Sequence, residues 1–288
     1  MDKTQEVRIA CTDGFSLAGT LFIPEEVKAA VLLAPATGIK RRFYASFSRF
    51  LAQNGYAVLT FENRGIGDSK AANINEGNPS LVSWGKLDMT AALDYLKAEF
   101  PASSYHLIGH SAGGQLVGLM ENAQDLRSMF NYGCSSGSLQ NISFPFIIPS
   151  HFLMNFVIPV SNLLFGHTKS QWFGMGEPLP KQVASDWRRW CNGQGYVKVD
   201  LDTRIQSHQY DTLSFPSLWL HAVDDSIASL TNVKDMVRVY SAIESEIVSL
   251  RPADFQMKEI GHMKFFSSKK QVLWKYALDW LDQQSQSA

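Results

Sequence analysis

Along the first seventeen residues, apolar and polar positions alternate: Val7 and Ile9, then Phe15 and Leu17, stand among polar neighbours on either side of Thr12-Asp13-Gly14. A period of two interrupted by a turn of this composition predicts an antiparallel hairpin. From Ala29 onward the pattern becomes short continuous apolar runs separated by stretches of helical period, which predicts parallel strands covered on both faces. The runs are 30–34, 57–61, 105–108, 129–133 and 217–222, with a weaker one at 246–250. Between them, 44–54 closes on Gly55, suited to the left-handed residue after a helix, and 83–99 places Trp84, Leu87, Ala91 and Tyr95 on one face. Helices are also expected after Ser111, over 232–243 and over 270–283.

The alternation breaks down between Ser138 and Leu213, where Phe, Trp, Pro and Gly concentrate. A structureless loop of that length does not suit a compact domain, so the segment reads as an inserted, partly helical cap. The expected organisation is an α/β core from 1–137 and 214–288 with a cap at 138–213. A length of 288 residues fits one large domain with such an insertion.

Composition narrows the functional classes. With 45% hydrophobic and 18% charged residues the chain is an ordinary globular one. Lys and Arg total 26 against 27 Asp and Glu, a formal net charge of -1, too weak a field to favour nucleic acid. Cys11, Cys134 and Cys191 lack the paired spacing of a zinc site or a disulfide framework, so no metal is expected and a reducing compartment fits. The N-terminal Met-Asp-Lys-Thr-Gln-Glu is polar and has no signal-peptide core, which points to the cytoplasm. The most apolar stretch, 142–165, is interrupted by Pro145, Pro149, His151, Asn155, Pro159 and Asn162. It reads as a greasy subdomain surface rather than an integral span, and leaves shallow membrane contact open.

Gly109-His110-Ser111-Ala112-Gly113 has the Gly-x-Ser-x-Gly spacing of a nucleophile elbow, preceded by the strand-like Tyr-His-Leu-Ile and followed by a small-residue helix. A serine hydroxyl needs a base to take its proton and a third group to orient that base. Gly261-His262 follows the last expected strand, making His262 the base, whereas His221 lies within a strand, His110 neighbours the serine, and His151, His167 and His208 lie in the cap. The acid belongs just beyond the 217–222 strand, where Asp224 and Asp225 compete; Asp225 is preferred, with Asp224 facing solvent or the cap. Ser, Asp and His then occur in the chain order of an α/β-hydrolase triad.

These segments resemble the triad-bearing parts of the α/β-hydrolase superfamily over nearly the whole chain. Phe61-Glu62-Asn63-Arg64-Gly65-Ile66-Gly67-Asp68-Ser69 is similar to a loop of the serine aminopeptidase-like and lysophospholipase-like branches, with Glu62 replacing the usual aspartate. Ala34-Pro35-Ala36-Thr37-Gly38 with Arg41-Arg42-Phe43-Tyr44, Asp186-Trp187-Arg188-Arg189-Trp190-Cys191, and Gly261-His262-Met263-Lys264-Phe265-Phe266 resemble bacterial predicted hydrolases of unsettled substrate. The resemblance implies a mostly parallel central sheet with helices on both faces. It also implies an oxyanion hole of backbone N–H groups, one from Ala112 and a second from Ala36 or Thr37, with Ala36 preferred; the loop that carries both departs from the superfamily in lacking the usual His-Gly pair, which leaves that second donor open.

The expected activity is cleavage of an ester, thioester or related acyl bond on a small molecule through an acyl-Ser111 intermediate, with no metal or organic cofactor. A carboxylic ester is the first choice. An aminopeptidase-like or amide hydrolase is the alternative, with Glu177, Asp186, Asp200 or Asp202 holding the substrate ammonium, and a noncatalytic binding protein of the same fold comes third. Arg64, Arg188 and Arg189 are expected in structural pairs, and Cys134 as a buried unreactive thiol. Phe144, Phe146, Phe152, Leu153, Phe156, Leu163, Leu164 and Phe165 are expected either to line an acyl pocket or to close on one another as a cap core. The oligomeric state stays open.

Overall fold

A computed structural model describes residues 3–286. Among them the strands are β1 (Lys3–Ala10), β2 (Ser16–Ile23), β3 (Ala29–Ala34), β4 (Tyr56–Phe61), β5 (Tyr105–His110), β6 (Leu126–Tyr132), a short ribbon of β7 (His167–Thr168) and β8 (Leu179–Pro180), then β9 (Pro216–Ala222) and β10 (Glu244–Leu250). Apart from the ribbon they form one sheet in the order β1-β2-β4-β3-β5-β6-β9-β10. The first two strands make the antiparallel hairpin, β2 runs antiparallel to β4, and the remaining pairings from β4 to β10 are parallel.

The continuous apolar runs explain this layering. Every residue of β3 and β4 is buried, because helices cover both sheet faces and successive side chains point to opposite sides. Leu32, Leu59, Leu107 and Met129 enter the core shared with the helix Thr90–Glu99. Val31, Leu33, Val58, Ile108 and Phe130 enter the opposite core, where Phe47 and Leu51 of the helix Ala45–Gln53 and Ala277 and Leu281 of the helix Lys275–Gln286 meet them. Burying side chains of this size contributes roughly 1.5–3 kcal/mol each, before the entropy of ordering them.

Several helices differ from the periodic reading. The 83–99 stretch starts with a wide turn at Trp84–Met89, held inward by a hydrogen bond from Trp84 Nε1 to the Arg64 carbonyl, 3.0 Å, and becomes regular only at Thr90. The helix after Ser111 is a single turn, Ala112–Gln115, followed by the tighter turn Val117–Leu119. The 232–243 helix begins earlier, at Leu230, where the Ser229 hydroxyl caps the N–H of Asn232, and it ends sooner, at Val237. The 270–283 stretch falls into a tighter run, Ser268–Trp274, itself kinked at Lys270, and the regular helix Lys275–Gln286.

Between β6 and β9 the chain leaves the sheet. This insertion contains the helical stretch Ile147–Phe165, the ribbon, and the helix Lys181–Cys191. Its inner side packs on the core through Val183, Trp190, Tyr196 and Tyr210. The Ile147–Phe165 stretch is long and apolar enough to cross a membrane by length and composition, yet Met154, Ile158, Ser161 and Asn162 are buried against the protein.

Candidate active site

The elbow is built by steric exclusion. Ser111 stands between β5 and its one-turn helix at φ 50° and ψ −111°, a conformation an L-residue adopts only when its surroundings impose it. Its N–H donates to the Tyr132 carbonyl, 3.0 Å, tying the turn to β6. The Ala34 carbonyl lies 2.1 Å from where a Cβ would sit on Gly113, so only glycine lets the helix start this close to β3. Ala112 opens that helix, and an N–H at the first helical position has no intrahelical acceptor.

Loops at the same sheet end bring Asp225 and His262 together. His262 Nδ1 and Asp225 Oδ2 are 2.7 Å apart, with the carboxylate 1% and the imidazole 15% exposed. The other carboxylate oxygen accepts the N–H groups of Ile227 and Ala228, at 2.8 and 2.9 Å. Burial works to raise the Asp225 carboxyl, but the neighbouring imidazole and these two N–H donors outweigh it and hold the group below the ordinary carboxylate range. Ser111 and His262 line one pocket.

Asp224 does not simply face solvent, as its position suggests. It is exposed, but its carboxylate accepts the N–H groups of Ile260 at 2.9 Å and Gly261 at 3.1 Å, holding the loop that carries His262. The two neighbouring aspartates thus meet that loop differently, Asp225 at the ring and Asp224 at the backbone.

A buried relay absent from the sequence reading joins three parts of the site. His110 Nε2 lies 3.0 Å from the His262 carbonyl, which can only accept, so the proton of the neutral ring sits on Nε2. His110 Nδ1 must then accept from the Tyr44 hydroxyl, 2.9 Å away, and the tyrosine oxygen accepts the Ala36 N–H, also at 2.9 Å. Burial and the nearby His262 push His110 down to about 3, which keeps it neutral in this role. The motif placed His110 beside the serine; for Tyr44 the Arg41-Arg42-Phe43-Tyr44 cluster was the available signal, without a contact to interpret it. Tyr44→Phe would leave the Ala36 N–H and His110 Nδ1 without partners. It is expected to cost roughly 2–4 kcal/mol, read as a lowered denaturation midpoint, because unsatisfied buried polar groups cost about 1–3 kcal/mol each.

That relay also changes the expected oxyanion donors. The Ala36 N–H is already engaged by Tyr44, so preference moves to Thr37, which with Ala36 lines the pocket. The cavity encloses about 220 Å³, below the roughly 300–1,000 Å³ typical of sites for drug-sized ligands. Leu139, Ile142, Leu153, Met154, Met175 and Trp187 supply apolar walls. Of the eight apolar side chains expected to line a pocket or close a core, only Leu153 lies on the wall, while the other seven are exposed.

The remaining expectations fall outside the pocket. Arg64 is buried in ion pairs with Asp88 and Asp13, both 2.6 Å, while Glu62 pairs with Arg41 at 2.7 Å, so the Phe61–Ser69 loop is a structural brace. Burial raises the Cys134 thiol, which has sulfur contacts to the Gly109 and Tyr132 carbonyls. Glu177 pairs with Lys40 and Lys70, Asp200 with Arg189, and buried Asp186 bonds Gln182. Among the described residues the pocket lining contains no carboxylate side chain. Likewise no group of three or more His, Cys, Asp or Glu is arranged to hold a metal.

Residues 25–130 match the family described as serine aminopeptidase, S33. No match is found among curated proteins. In fold the chain is similar to a soluble variant of monoglyceride lipase from Saccharomyces cerevisiae, solved with a substrate analogue: TM-score 0.68, 16% identity, covering 99% of this chain and 95% of that one. It is also similar to an esterase domain from Rhodothermus marinus, with TM-score 0.58, 20% identity and coverage of 96% and 97%. An acylaminoacyl peptidase from Pyrococcus horikoshii shares the fold at TM-score 0.60 and 13% identity, over 98% of this chain but 41% of that one. The sheet order, the strained serine turn after β5 and these likenesses lead to one conclusion: the chain has the α/β-hydrolase fold.

Proposed function

We propose that the protein is a serine hydrolase acting on a carboxylic ester with a short or medium acyl group. Ser111 attacks the ester carbonyl, His262 accepts the hydroxyl proton and passes it to the leaving alcohol, and Asp225 holds the histidine and stabilises its protonated form. The N–H groups of Ala112 and Thr37 receive the developing oxyanion. Water then repeats the sequence on the acyl-Ser111 ester, releasing the acid and restoring the serine. The insertion serves as the cap that walls the acyl group.

The observation that carries the ester reading is the apolar wall beside Ser111 together with the lack of a carboxylate in the lining. An aminopeptidase needs an anion for the substrate ammonium; of the four acidic groups considered for it, Glu177, Asp186 and Asp200 are engaged elsewhere, and exposed Asp202 does not line the pocket. The small cavity limits acyl length. Each methylene that leaves water contributes up to about 0.8 kcal/mol until the wall is reached. With p-nitrophenyl esters from two to twelve carbons, kcat/KM is expected to rise a few-fold per carbon, peak near four to eight carbons and then fall. Aminoacyl p-nitroanilides are expected to be poor substrates. Faster turnover of those amides than of every ester would reject the ester assignment, and a maximum at acetate would reject the acyl pocket alone.

A further inference from the structure

The seven apolar side chains that leave the pocket wall create a surface that needs an explanation. Phe152 and Phe156 stack at 5.1 Å on the outer side of the Ile147–Phe165 stretch, while Leu163 is 82% and Phe144 79% exposed. This is a contiguous helical face rather than scattered surface residues, and such faces mark interaction sites. Its inner side belongs to the pocket, where Ser150, Leu153 and Met154 form part of the wall. The same helical stretch thus carries the outer face and part of the wall of the cavity that Ser111 lines.

The segment that carries this face has no acidic side chain. From residue 126 to residue 176 the chain contains no Asp or Glu. At the C-terminal end, Lys169 lies 4.0 Å from the Phe165 ring centroid and 4.6 Å from that of Trp172, with Trp172 exposed. Along one flank runs a groove lined by Arg188, Arg189 and Arg204 together with Asn155 and Asn192. Asn155 belongs to the apolar stretch and exchanges side-chain hydrogen bonds with Asn192 at 3.1 and 3.2 Å, so groove and face adjoin. Arg189 is tied to Asp200 at 2.6 Å, and Arg204 is felt by buried Asp186. Arg188 Nε is buried without a hydrogen-bond partner in the groove wall.

We propose that this face docks the protein on an anionic lipid surface, with the Phe and Leu side chains entering the acyl region and the arginine groove receiving headgroup phosphates. An apolar helical stripe, an interfacial Trp and flanking cations are the features that hold a helix in the plane of a charged membrane. Guanidinium groups suit phosphate oxygens because their donors come in pairs. The buried inner side of the helix makes the contact lie on the membrane rather than across it. A second copy of the chain would also cover apolar side chains, but it would bring the same basic rim against itself.

The test is co-flotation of the full chain with vesicles of phosphatidylcholine alone or with about one third phosphatidylglycerol. Binding is expected to the anionic vesicles, falling as salt rises because the headgroup attraction is screened. Arg188→Gln with Arg204→Gln should weaken it on the order of tenfold, since each cation near such a surface contributes a several-fold factor. Leu163→Ser with Leu164→Ser should abolish it at every salt concentration. Both double variants should hydrolyse a soluble short-chain ester like the parent, because none of the four residues lines the pocket. Equal flotation with uncharged vesicles, indifference to the arginine pair, or no flotation would overturn the proposal. So would sedimentation showing a dimer that Leu163→Ser with Leu164→Ser dissolves.

Discussion

Asp225→Asn is expected to lower kcat by about three to four orders of magnitude, whereas Asp224→Asn should lower it less than about tenfold. The difference follows from what each carboxylate holds. Asp225 meets His262 Nδ1 directly at 2.7 Å, and an amide in its place can present an N–H there, imposing the wrong tautomer and removing the charge that favours the imidazolium. Asp224 holds the Ile260 and Gly261 N–H groups just before His262, and asparagine retains one acceptor for them. Steady-state kinetics on folded protein separates the two, and a larger loss in Asp224→Asn would reverse the assignment. Stability carries a matching pH signature. Because the folded protein holds the Asp225 carboxyl below its ordinary value, its contribution is complete above about pH 4 and is lost as pH falls further. Denaturation midpoints of parent and Asp225→Asn should therefore converge on acidification.

Ser111→Ala should remove nearly all turnover, on the order of a millionfold where the serine, histidine and aspartate act as a unit. Its stability should stay close to that of the parent, since the substitution keeps the same backbone strain. Ser111→Gly should be inactive but more stable than Ser111→Ala. At φ 50° and ψ −111° a side chain costs about 1–3 kcal/mol, while glycine loses about 0.5–1 kcal/mol of extra chain entropy on folding. Chemical denaturation of the two variants is the comparison. A less stable glycine variant would mean that the elbow is unstrained.

How much of this was legible in the sequence depends on the range of the interaction. The hairpin, the buried parallel strands and the elbow are local patterns, and the strands appear within a few residues of their expected places. Helix ends were less legible where tertiary contacts reshape them, as Trp84 does by donating to Arg64. In the candidate site, Ser111, His262 and Asp225 could be chosen from their order and their places beside strands. The relay through Tyr44 and His110 could not, because it joins residues 66 and 152 positions apart through single hydrogen bonds. Nor could the pattern of apolar residues in the insertion say which way they face. A helix apolar around most of its circumference reads the same whether its outer side meets protein, lipid or water.

The central claim is that Ser111 is an activated nucleophile, and covalent labelling with a fluorophosphonate followed by peptide mapping tests it most directly. The expected result is a single adduct on the peptide containing Ser111, absent from Ser111→Ala and slowed by orders of magnitude in Asp225→Asn. Folded parent protein that takes up no probe, or an adduct on another residue that persists in Ser111→Ala, would contradict it.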